Sequence, residues 1–173
     1  MLFFIEKEVS AISSTKKLTI SAMVVALYIV VLYLTQSVSF GAYQIRIATS
    51  LYALAYAFPF LMVPMGVANL ISNLLFGGLG PLDMFGGFMV GVITTGLIVL
   101  IRKYEMNTWW IVLPIIFVPA LCVPLWLSYL LDLPYAMLVT NLVVGQTIPA
   151  ILGATLIRVL SRRAAMAAVM GIR

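Results

Sequence analysis

The chain of 173 residues contains no histidine, a single cysteine and little charge. Without histidine it lacks the commonest general base and metal ligand, and no run of Cys, Asp and Glu with metal-binding spacing takes its place. An enzyme needs a positioned acid, base or nucleophile. Only Asp83 is available inside an apolar region, so no catalytic residue and no metal ligand is expected. The lone Cys122 rules out an intramolecular disulfide and reads as a small packed side chain. Charged residues make up 9% of the chain, against about 25% in soluble domains, too few to coat a globule with polar groups. A phosphate loop of the Gly-x-x-x-x-Gly-Lys-Ser/Thr type is also missing. Gly77-Gly78-Leu79-Gly80 has no lysine and reads as a turn.

What the chain has instead is apolar sequence: 64% hydrophobic residues and a mean hydropathy of +1.19. Its length suits one transmembrane bundle, a single domain over residues 1–173. The net charge of +5 sits beside apolar spans rather than on an aromatic-bearing patch, which favours contact with anionic lipid over nucleic acid.

The positions of the basic residues constrain the threading. Lys7, Lys16 and Lys17 precede the first apolar run; Arg102 and Lys103 lie mid-chain; Arg158, Arg162, Arg163 and Arg173 close it. Six crossings of a cell membrane, with both termini cytoplasmic, put every one of these clusters inside. Only Arg46 then faces out. The expected spans are Leu18 to Ser37, two short helices within Ile47 to Phe76, Leu82 to Ile101, Trp109 to Leu130 and Tyr135 to Leu160. The stretch from Ile47 to Phe76 has 30 residues; one helix of that length would extend about 45 Å, too long for a hydrocarbon core of about 30 Å. Pro59 and Pro64 interrupt it, and two short crossings keep Arg102 and Lys103 on the side of Lys16 and Lys17. Residues 1–15 are expected along the cytoplasmic interface, and residues 161–173 as a basic tail that extends the last helix along the membrane surface.

Polar residues inside such a bundle are costly and mark function by default. Arg46 begins the second span and Asp83 the fourth, both at the outer face. Asn69 and Asn73, four apart, share one helical face of the third span, with interhelical hydrogen bonding as the alternative role. Asn141 and Gln146 lie on the outer half of the last span but point about 140° apart, since each residue turns the helix by 100°. Asn141, nearer the mouth, is the favoured member of that pair. Tyr43 and Trp126 belong to an outer group of aromatics that suits either an interfacial belt or a stacking wall. Together these residues suggest a small organic ligand captured from outside. On the first span, Ala22 and Ala26 form a small-xxx-small face that admits a neighbouring helix.

The stretch from Phe40 to Ile101 resembles the QueT family, substrate-binding S components of energy-coupling factor (ECF) transporters. The matching pieces are Phe40-Gly41-Ala42, Gln44-Ile45-Arg46, Ala68-Asn69-Leu70, Gly80-Pro81-Leu82-Asp83 and Phe85-Gly86. The resemblance implies an all-α six-helix bundle that binds a small vitamin-like heterocycle, a queuosine precursor first. It also implies docking through Ala22 and Ala26 on a transmembrane coupling subunit with two cytoplasmic ATPase subunits. ATP would then be a cofactor of the partners and not of this chain. The family commonly carries Glu three residues after the arginine, where this chain has Thr49. The neutral hydroxyl of Thr49 points to a ligand other than the usual one, with a pyridine or pyrimidine vitamin as the alternative. A stand-alone secondary transporter is the other reading; it usually shows repeated halves and a mid-bilayer ion site, and neither is legible.

Overall fold

The computed structural model describes residues 13–41, 43–77 and 79–169, with side chains to residue 163. The expected interfacial segment 1–15 therefore falls almost wholly outside the described residues, as do Lys7, Ala42, Gly78 and Arg173. Among the described residues every regular element is helical. In chain order they are α1 (Ser14–Leu34), α2 (Gln36–Ser39), a 3-10 run (Ile47–Ala53) continuing into α3 (Leu54–Ala57), α4 (Met62–Ser72), α5 (Pro81–Lys103), α6 (Val112–Leu131) and α7 (Tyr135–Val169). Single 3-10 turns at Pro59–Leu61 and Thr108–Ile111 lead into α4 and α6, and a wide turn at Asn73–Gly77 extends α4.

The boundaries have local causes. The Ser13 hydroxyl accepts from the backbone N–H of Lys16 and caps α1. Gly80, at φ 86°, adopts a conformation that few other residues tolerate and hands the chain to Pro81 at the first position of α5. Asp132, in the left-handed region, closes α6. Pro119 and Pro124 lie within a continuous α6, and Pro149 within α7.

Five helical segments are long and apolar enough to cross a membrane: Ser14–Leu34, Pro59–Gly77, Pro81–Lys103, Thr108–Leu131 and Tyr135–Arg163. The stretch expected to hold two similar short helices divides unequally at Phe58. Its second part, Pro59–Gly77, is a full-length span of 19 residues, while its first, Ile47–Ala57, is a short apolar helix. The 3-10 rise stretches that short unit to about 20 Å, still less than a hydrocarbon core. It lies in the interior: Ala48, Thr49, Leu51, Tyr52, Ala53, Ala55 and Tyr56 are all buried. The last helix, α7, runs without a break past Leu160 to Val169, so the tail continues it as helix.

Contacts fix two ends of the bundle. At one end Arg46 meets Asn69 and Asn73, Asp83 meets Trp126, and the Tyr33 ring packs on Phe76. At the other, the Arg102 guanidinium donates to the carbonyls of Tyr56 and Ala57, and Arg158 lies over the Trp109 ring. The short unit therefore starts at the Arg46 end and finishes at the Arg102 end. Lys16, Lys17, Lys103, Arg162 and Arg163 belong to helix ends on the Arg102 side. The core, built on Tyr28, Leu32, Tyr52, Leu61, Met65, Ile98 and Ile115, lies between the two ends. Around it large apolar side chains face outward, among them Leu18, Met23, Leu125 and Val144, a perimeter suited to lipid.

Candidate functional site

The polar residues singled out in the sequence converge at the Arg46 end. Arg46 Nη1 donates to Asn69 Oδ1 and Nη2 to Asn73 Oδ1, both at 3.0 Å. The four-residue spacing on α4 and its wide turn sets the two amide oxygens side by side, matching the two arms of the guanidinium fork. The Phe40 ring covers the cation, 4.7 Å from Cζ to ring centre. Behind them the amide nitrogens are held as well: Asn69 Nδ2 donates to Tyr52 Oη and to the Gly87 carbonyl, each at 2.9 Å, and Asn73 Nδ2 to the Asp83 carbonyl at 3.0 Å.

This approach depends on Gly87, because a Cβ there would stand 2.6 Å from Asn73 Nδ2 and 3.2 Å from Asn69 Oδ1. One turn and a bit further along α5, Gly91 packs on Gly66; a Cβ on Gly91 would lie 2.9 Å from the Gly66 Cα. The two small residues let α4 and α5 touch backbone to backbone. The buried Asp83 accepts from Trp126 Nε1 at 3.0 Å, tying α5 to α6.

Gln146, fully buried on α7, closes the far side. Its Oε1 lies 2.9 Å from Thr49 Oγ1, and its Nε2 donates to the Gln44 carbonyl at 3.0 Å. Thr49 Oγ1 is also 2.7 Å from the carbonyl of Arg46, so its one proton serves two acceptors. Gly145 leaves room for the loop to cross α7: a Cβ at that position would run into the Tyr43 carbonyl.

These groups enclose a small cavity. Its polar wall comprises Gln44, Arg46, Thr49, Tyr52, Asn69 and Gln146, and Val90, Pro119, Val123 and Leu142 form the apolar wall. The void holds about 20 Å³, room for a water molecule but far below the roughly 300–1,000 Å³ of ligand pockets. Admitting a heterocycle requires the walls to part.

Of the residues expected from sequence, Arg46, Thr49, Asn69 and Gln146 line the cavity, while Asn73, Asp83 and Trp126 support them from behind. Asn141 is half-buried and lies outside the lining. The 140° turn between Asn141 and Gln146 thus separates them as expected, but Gln146, and not Asn141, faces inward. Tyr43 exposes its side chain by half and contributes its backbone. Sequence reasoning missed Tyr28 and Tyr52, whose buried rings stack at 5.7 Å and 12° with hydroxyls 3.4 Å apart. The available signal was the four-residue spacing of Tyr28 and Leu32, the two buried positions of α1. Ala22 and Ala26 are exposed on that helix. Among the described residues, no group of three or more Cys, Asp or Glu is placed to hold a metal.

A family model described as QueT transporter matches residues 18–162, most of the chain. The chain belongs to the QueT transporter family. No curated protein and no solved structure matches it. With five long apolar helices, family membership makes the molecule a multi-pass membrane protein and a transporter of a small substrate. Of the segments that carried the resemblance in sequence, Phe40, Gln44, Arg46, Asn69 and Asp83 come together at one end of the bundle.

Proposed function

We propose that this chain is the substrate-binding S subunit of an ECF-type ABC importer. It captures a small vitamin-like heterocycle, a queuosine precursor or a related compound, from outside the cell. It then docks on a transmembrane coupling subunit and releases the ligand inward as two ATPase subunits hydrolyse ATP. The chain itself uses no cofactor and carries out no chemistry. The observation that supports this reading most is the small cavity walled by Arg46, Asn69 and Gln146, opposite the basic helix ends. With those ends cytoplasmic by the positive-inside bias, the cavity lies near the exterior, and both termini lie inside. The short unit Ile47–Ala57 then supplies a sixth passage, buried among the five full spans.

The division of labour follows from the residues. A half-buried guanidinium held by two amides is a rigid donor, and Asn69, Asn73 and Gly87 fix its position. Gln146 joins α7 to the loop before Arg46 at the Gln44 carbonyl and to the 3-10 run at Thr49, so the void widens when that join opens. The exposed Ala22 and Ala26 leave one face of α1 smooth for the coupling subunit.

The test is binding by the purified chain alone. Small molecules that co-purify are identified by mass spectrometry, and equilibrium binding of a 7-deazaguanine is measured without ATP. Binding that proceeds without nucleotide supports the assignment. ATP hydrolysis by the isolated chain, or vesicles holding only this chain that concentrate solute against a gradient, would sink it.

A further inference from the structure

The cavity wall holds one charged side chain, Arg46, and no carboxylate. Asp83, the acid nearest along the network, is not part of the lining, and one of its oxygens accepts the Trp126 indole N–H. The opposite wall of Val90, Pro119, Val123 and Leu142 offers no counter-charge either. A guanidinium carries five N–H donors. Two of Arg46's bonds reach amide oxygens, and its buried Nε has no partner among the described residues.

The neutral side chains bond mainly to one another and bring no charge to balance the guanidinium. Both N–H groups of Asn69 have acceptors, and its oxygen already receives Arg46. The Gln146 oxygen receives Thr49, while its nitrogen donates to the Gln44 carbonyl and has a second N–H to give. What the wall holds unmatched is positive charge, on a cation fixed by two amide oxygens in surroundings of low dielectric. There a second positive charge is repelled strongly, and an acceptor gains a charge-assisted hydrogen bond.

We infer that the cavity selects its ligand by charge: it takes a small heterocycle presenting a carbonyl or carboxylate oxygen to Arg46, and it rejects the cationic amine of the same shape. This inference rests on the capture reading above and narrows its substrate class.

Two matched series test it, 7-deazaguanines and pyridines, each bearing a carboxylate, a carboxamide or an aminomethyl group. Equilibrium binding is measured on the full chain in detergent near neutral pH. In whichever series binds, the acid or amide should bind at least about tenfold tighter than the amine, the scale of one charge-assisted hydrogen bond. Arg46→Gln should bring the members of a series within roughly threefold of one another. Thr49→Glu, which adds a carboxylate to the same cavity wall, should reverse the order, so the result does not depend on one variant folding. An amine that binds the unaltered chain as tightly as the acid and amide overturns the inference and leaves capture intact. Failure of both series to bind overturns the capture reading, and the inference with it.

Discussion

Arg46 is the residue on which most of the molecule's polar chemistry turns. A charge within a membrane-spanning segment costs about 2.5–3.5 kcal/mol at mid-span on insertion scales. Here that penalty is offset by two amide oxygens and an aromatic face rather than by a carboxylate. Hydrogen bonds to charged groups contribute about 1.5–3 kcal/mol each. Arg46→Ala and Gln146→Ala are therefore each expected to weaken ligand binding by roughly tenfold to a hundredfold, measured by equilibrium titration. Asn141→Ala should alter it less than about threefold, because that side chain does not line the cavity. Equal losses in Asn141→Ala and Gln146→Ala would mean that the ligand sits elsewhere. The preference for Asn141 drawn from sequence rested on its nearness to the mouth. Helical angle could say that the two amides diverge, but not which of them points inward.

At the scale of elements, the short unit Ile47–Ala57 is the unusual feature. Backbone that leaves regular helical geometry inside a membrane must find partners within the protein, since hydrocarbon offers none. The breaks before and after this unit meet that demand in different ways. Near Arg46, Gln146 reaches the Gln44 carbonyl and Thr49 the Arg46 carbonyl. Before Pro59, Arg102 donates to the carbonyls of Tyr56 and Ala57 at 3.0 and 2.8 Å. Sequence reasoning read Arg102 only as a cytoplasmic charge marker. Its partners are backbone atoms some 45 residues away, which no local pattern announces. An unsatisfied buried carbonyl costs about 1–3 kcal/mol, so Arg102→Ala should lower stability by that order, read as the thermal midpoint in detergent. Arg102→Lys should recover part of the loss, because an ammonium keeps donors but not the planar fork. An unshifted midpoint in Arg102→Ala would remove the capping role. The contact of α4 with α5 is a second test. Gly91→Val has no space against Gly66 and should cost about 1–3 kcal/mol by overpacking.

For the whole molecule the question is which end faces the cell exterior, and how cargo moves. In a background with Cys122 replaced by alanine, a cysteine at Glu105 should react with a membrane-impermeant thiol reagent only after the cells are permeabilised. A cysteine at Asp132 should react from outside. The opposite pattern would invert the proposed threading. Docking belongs to this scale too. Bulky Ala22→Trp or Ala26→Trp, on the exposed face of α1, should abolish uptake by the assembled transporter yet leave detergent binding within about threefold. Normal uptake by both variants would count against that face as the docking surface.

Hydrophobic run length and the placement of lysine and arginine settled the membrane class, most helix positions and the end at which a ligand site was to be sought. These are one-dimensional quantities, because hydrocarbon thickness sets how long an apolar run must be and lipid charge sets where cations collect. Threading grouped Arg46 with Asn69, Asp83 and Asn141 at one end for the same reason, and the first three do meet there. Tertiary structure decided what threading could not. It made Ile47–Ala57 a short buried unit, assigned Gln146 rather than Asn141 to the cavity, and gave Arg102 to the carbonyls before Pro59. Each of these outcomes depends on satisfying buried polar groups across distant segments, and that constraint exists only once the helices have packed.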